Sequence, residues 1–87
     1  MGKVPRFDPE AGGPAYLYAR MADHLEARIR SRELAQGARL PAERDLAEEY
    51  GVAVGTARRA VEELRQRGLA VTLPAKGTFV SQPAARQ

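Results

Sequence analysis

Apolar residues first recur with a helical period at Leu17, Met21, Leu25 and Ile29, four positions apart, with Tyr18 and Ala22 beside them. That spacing puts one apolar stripe on a helix over about 15–31, and Arg20, Asp23, Glu26 and Arg30 fall off it. The stripe stops before a turn at Gln36-Gly37, and Leu34 and Leu40 are expected to tuck into the core. Pro41 marks the start of a second helix, AERDLAEEY over about 42–50, with Leu46, Ala47 and Tyr50 inward. Gly51 follows as a residue able to take positive φ, with Val52 packing back behind it. A third helix over about 54–67 turns Ala57, Ala60, Val61 and Leu64 inward. Its other face carries Arg58, Arg59, Glu62, Arg65 and Gln66, and Gly68 ends it ahead of Leu69. The period then becomes strand-like. LAVTL (69–73), PAKG (74–77) and TFV (78–80) predict a short hairpin with a glycine in its turn.

The predicted fold is therefore mainly α with a small β-hairpin, in the order helix, helix, turn, helix, hairpin. The flanks differ from this part. MGKVPRFDPEAGGP (1–14) holds three Pro and three Gly without apolar period and is expected to be a flexible tail, while SQPAARQ (81–87) reads as a tail or the start of a linker. At 87 residues the chain supports one small domain, and its 44% hydrophobic and 29% charged residues are ordinary for a globular one.

Charge changes the picture more than composition does. Residues 1–57 hold eight basic and nine acidic groups, whereas 58–87 hold six and two, so the excess of positive charge lies in the C-terminal part. Such a half fits a polyanion partner, although a solvated charged surface fits the small net charge of +3 equally well. Arg outnumbers Lys twelve to two, a ratio that G+C-rich coding also produces. The lack of Cys removes disulfides and thiolate metal sites, and the single His24 has only carboxylates to complete a ligand set, so no metal and no cofactor are expected. No glycine-rich phosphate loop occurs and no nucleophile accompanies His24, which argues against an enzyme. No apolar run reaches a membrane span and no signal segment follows Met1, so the cytoplasm is the default compartment.

Two closely crossing helices joined by a tight turn need a small residue at the crossing, a left-handed residue four positions later, and apolar residues around the corner. Ala47, Gly51 and the set Leu46, Tyr50, Val52, Ala57 and Ala60 supply these within 43–62. The pattern is that of a helix-turn-helix, whose second helix enters the major groove, although any corner between helices shares part of it. A hairpin directly after the third helix makes the order that of a winged helix, with the basic Lys76-Gly77 at the tip.

LPAERDLAEEYGVAVGTARRAVEELRQRGLAVTLPAKGTFV resembles the N-terminal winged helix-turn-helix domain of the GntR family of bacterial transcription regulators. The likeness spans about 16–80, with P-x-E-R, G-V, T-x-R, G-L and G-T-F-V in register. It implies sequence-specific binding of double-stranded DNA at a palindromic operator, usually for repression. Arg44 would contact phosphate or a groove edge, Thr56 and Arg58 would meet backbone and bases, and Lys76, Gly77 and Thr78 would lie at the minor groove. An ion pair with Glu48 is the alternative for Arg44, and Glu62 and Glu63 compete for Arg59, which ranks below Arg58 as a contact. Phe79 and Val80 are expected in the core.

Departures from the family pattern fall on the reading surface. Ala42 stands where a serine usually caps the second helix, and losing such a cap costs about 0.5–2 kcal/mol. Ala53-Val54 replaces Ser-Arg, which removes a second cap and a guanine-reading side chain. Val54 is then expected to pack on a thymine methyl and Gly55 to permit close approach to the backbone. Family members carry a larger C-terminal domain that binds a small-molecule effector and dimerises. The chain ends seven residues after the wing, as an excised domain or a short natural form, and the linker-like SQPAARQ favours excision. The rival function is a winged helix that binds an acidic protein rather than DNA.

Overall fold

Helices α1 (Leu17–Arg30), α2 (Glu43–Tyr50) and α3 (Val54–Gln66) precede strands β1 (Ala70–Leu73) and β2 (Gly77–Val80) in the computed structural model, which describes residues 4–11 and 16–81. The expected order is thus the observed one. Expectations for 1–3, 12–15 and 82–87 lie outside the described residues. None of the helices is long and apolar enough to cross a membrane.

Helix α3 packs against both α1 and α2, and its apolar seam of Ala57, Ala60, Val61 and Leu64 is buried throughout. Met21, Leu25, Leu46, Leu64 and Val80 are the largest fully buried side chains. Each contributes about 1.5–3 kcal/mol by leaving water. Ala47, at the crossing, is 3% exposed, so a larger side chain there would push the helices apart.

Two glycines close their helices in the same way. Gly51 has φ +70, its N–H donates to the Glu48 carbonyl and the Val52 N–H donates to the Ala47 carbonyl. Gly68 has φ +79, with matching bonds from Gly68 to Arg65 and from Leu69 to Leu64. Both are Schellman closures, which require a left-handed residue and point the chain back to the core. The first sets the corner between α2 and α3; the second launches β1.

The hairpin pairs Ala70 with Val80, Val71 with Phe79, Thr72 with Thr78 and Leu73 with Gly77. A segment before α2 adds a short third strand: the Leu40 N–H donates to the Thr78 carbonyl and the Val80 N–H to the Ala38 carbonyl, with Arg39 opposite Phe79. This register corrects the expectation for Phe79. Side chains alternate along a strand, so burying Ala70 and Val80 on α3's side turns Val71 and Phe79 to the other face. Val80 is core; Phe79 is half-buried and outside the buried cluster.

Residues 4–11, part of the expected tail, lie against α1 and the end of α2. Phe7 packs on the core edge, its ring 5.0 Å from that of Tyr50 and 5.5 Å from His24. The Arg28 guanidinium donates to the Tyr50 hydroxyl, which bonds His24 Nδ1, and the opposite ring nitrogen bonds the Pro5 carbonyl. Arg20 donates to the Asp8 carbonyl and lies over the Phe7 ring. A half-buried aromatic and this polar chain hold a segment whose prolines and lack of period predict a free tail.

Candidate nucleic-acid interface

The face of α3 opposite its buried seam begins at an uncapped end. Ala53 has the extended backbone of an N-cap (φ −70, ψ 153) but no side-chain acceptor for the first-turn N–H groups, as expected; Ala42 leaves α2 likewise uncapped. Val54 is 38% exposed, Gly55 is exposed and Thr56 is half-buried. A Cβ built on Gly55 would meet nothing within 4 Å, and its φ is not in the left-handed region. Nothing inside the molecule therefore requires glycine there, and the site stays open to a close neighbour from outside.

The arginines around this face differ in their attachments. Arg58 Nε donates to Glu43 Oε1 at 3.1 Å, an exposed pair that ties α3 to the start of α2. Pairs of that exposure contribute about 0.2–1 kcal/mol, so the guanidinium is readily redirected. Arg44 is exposed, and among the described residues it makes no ion pair, so the alternative partner Glu48 does not hold it. Arg59 does not turn to Glu62 or Glu63. Its guanidinium carbon sits 4.0 Å above the Tyr18 ring, which in turn stacks on the ring of Tyr16, the centroids 6.1 Å apart. Glu63 instead accepts from Arg67.

On the wing, Lys76 stands exposed in the turn, whose backbone closes by a bond from the Lys76 N–H to the Leu73 carbonyl. Ala75 beside it has φ +63, a region that costs an L-residue about 1–2 kcal/mol. The Thr78 hydroxyl, expected at a groove, bonds Thr72 Oγ1 at 2.9 Å, and Arg65 donates to the same Thr72 oxygen at 3.0 Å. That ladder fastens the hairpin to the end of α3. Gly77 has φ +122, and the space its missing side chain leaves is filled by Arg39.

Five of the nine predicted residues fall into two depressions, and Arg44, Val54 and Arg58 lie outside both. Gly55, Thr56 and Arg59 share one with Tyr16, Tyr18 and Ala53. Gly77 and Thr78 share another with Arg39, Pro41 and Glu43, beside Arg44 at the start of α2. Lys76 lines neither. Sequence reasoning missed Arg39 and Tyr18 as members of this surface, and it placed Arg65 on the outer face of α3 without its bond to Thr72. The polar position between Ala38 and Leu40, in a stretch too short to show alternation, was the only mark of the third strand.

The profile of the gntR family of bacterial regulatory proteins matches residues 17–80. The chain belongs to that family. Its helices and wing are the family's DNA-binding domain. It is 36% identical over 74 residues to the HTH-type transcriptional repressor NagR of Bacillus subtilis strain 168, covering 85% of this chain and 30% of that protein. To the histidine utilization repressor of Pseudomonas putida it is 38% identical over 74 residues, with the same two coverages, 85% and 30%. Among solved structures it is similar to the DNA-binding domain of AraR in complex with operator ORE1, with a TM-score of 0.74 and 26% identity over 86% of this chain and 94% of that one. The chain thus spans about 30% of the length of these curated relatives.

Proposed function

We propose that this domain binds an operator with α3 in the major groove and the wing at the adjacent minor groove, and that it serves repression. The observation that carries this is the outer face of α3, where Thr56, Arg58 and Arg59 stand beside free first-turn N–H groups and a glycine with open space around it. Thr56 and those N–H groups suit a phosphate, and Arg58 suits guanine or phosphate through its two-pronged guanidinium. Val54 supplies a methyl contact to thymine, Gly55 lets the strand approach, and Arg44, Lys76, Gly77 and Thr78 contact the flanking backbone and minor groove.

Two copies on inverted half-sites fit a palindromic operator, with half-sites separated by about one helical turn or a multiple. Dimerisation and the response to a small-molecule effector belong, on this reading, to a C-terminal domain beyond these residues, and the cytoplasm is where it acts. NagR and the histidine utilization repressor are named as repressors, and their likeness to this chain supports the same role for it.

Titrating the chain with random duplex at two salt concentrations tests the reading. Affinity falls steeply as salt rises, in proportion to the phosphates contacted. No binding even at low salt would instead support a protein-binding winged helix. Selection from a random duplex pool then returns a palindrome, and Val54→Ala shifts the preference at one base pair.

A further inference from the structure

We propose that Arg39, which lies outside the hairpin in sequence, is a phosphate-contacting residue of the wing, seated in the space that Gly77 leaves. This rests on the DNA reading above and adds to it a residue and a role. The third-strand pairing carries Arg39 to β2, opposite Phe79. There its guanidinium lies against the Gly77 backbone. A Cβ on Gly77 would stand 2.6 Å from Arg39 Nε and 3.3 Å from both Cζ and Nη2, so any side chain at 77 displaces the arginine. The space beside Gly77 is thus filled from within the molecule.

Arg39 lies against Gly77 without being neutralised. It is exposed, and among the described residues it makes no ion pair. Glu43 is the single carboxylate lining the same cleft, and it is engaged by Arg58 at 3.1 Å. A packed guanidinium loses less rotamer freedom on contact than a free one, and its fork matches two phosphate oxygens.

Position decides between base and backbone. The cleft lies between the start of α2, which Glu43 and Arg58 tie to α3, and the wing. If α3 occupies a major groove and the wing the next minor groove, the sugar-phosphate strand separating the grooves runs past that cleft. Arg39 faces that strand rather than base edges, which sets it apart from Arg58.

The 87-residue chain, titrated with random duplex and with its selected site over a range of salt, tests this. Arg39→Ala binds both duplexes about tenfold more weakly, and its log–log salt slope falls by about one. Arg39→Lys keeps the slope and recovers only part of the affinity, because an ammonium lacks the planar fork. Gly77→Ala shows the loss seen for Arg39→Ala, and the double variant is no weaker than Arg39→Ala alone. Should Gly77→Ala melt near room temperature, the two Arg39 variants decide the matter, since that exposed side chain leaves folding unchanged. Unaltered affinity and slope in Arg39→Ala would overturn the assignment, as would a loss confined to the selected site at constant slope. Wild-type chain that binds neither duplex would remove the DNA reading itself, and this inference with it.

Discussion

Arg67 and Arg39 carry the same guanidinium and meet opposite surroundings. Arg67, just past α3, bonds Asp23 at 2.9 Å, Glu26 at 2.7 Å and Glu63 at 3.0 Å, and is 26% exposed. Burial works against its charge, but hydrogen bonds to Glu26, Glu63 and Asp23 more than reverse that and raise its pKa well above the ordinary value. Arg39 lies on a glycine backbone with no carboxylate of its own. The first neutralises its charge inside the fold by joining α1 to α3. The second keeps its charge for a partner. The difference lies in which neighbours the topology supplies, so twelve arginines do not make twelve contacts.

The largest expected effect breaks the internal side of this comparison. Arg67→Ala leaves Asp23, Glu26 and Glu63 facing one another without their shared cation. Removing the shared cation from three partly exposed pairs costs about 2 kcal/mol, or roughly 10 °C in a domain of this size. Thermal unfolding followed by circular dichroism measures it. The folded fraction should still bind DNA with wild-type affinity. A loss of affinity without a loss of stability would place Arg67 on the binding side instead.

Arg58 tests the outer side. Its pair with Glu43 is 60% and 37% exposed, so Arg58→Ala should leave the melting temperature within about 3 °C of wild type. Affinity for the selected site should fall by about 2 kcal/mol, with a smaller loss on random duplex. Equal losses on the two would make Arg58 a phosphate contact, and the distinction drawn from Arg39 would then fail.

Much of the fold was legible because its determinants are local. A four-residue apolar spacing gives α1 its stripe, and Gly51 and Gly68 sit where a left-handed residue must, so two helix ends and the corner between α2 and α3 could be read directly. What escaped depends on contacts distant in sequence. Phe7 is one aromatic in a stretch rich in proline, and only Tyr50 and His24 turn it into an anchor. The pairing of residues 38–40 with β2 is too short to leave a period. For the candidate site, the outward placing of Gly55 and Arg58 was legible from the period of α3. Arg59's place over Tyr18 was not, because nearby Glu62 and Glu63 are the obvious partners in sequence. The bond between the Thr78 and Thr72 hydroxyls was not legible either, because the alternation that turns them together depends on the hairpin's register.

The smallest expected effect sharpens the comparison through pH. Glu26 is the carboxylate that Arg30 and Arg67 share, and their hydrogen bonds, that from Arg30 first, hold its pKa below the ordinary 4.5 despite partial burial. The folded state thus binds a proton at Glu26 less tightly than the unfolded chain does. Its contribution to stability is present above about pH 4.5 and is lost as pH falls through the folded value. Glu26→Gln should therefore melt a few degrees below wild type at neutral pH, a deficit of under about 1 kcal/mol. That gap should close at an acid pH below the folded value, where the wild-type carboxyl is protonated as well. A gap of equal size at both pH values would mean that Glu26 acts through packing rather than charge. A wild-type chain whose duplex affinity followed the same acid transition would show the internal network coupled to the outer surface, whereas arginines as separately held as Arg67 and Arg39 require the two to respond independently.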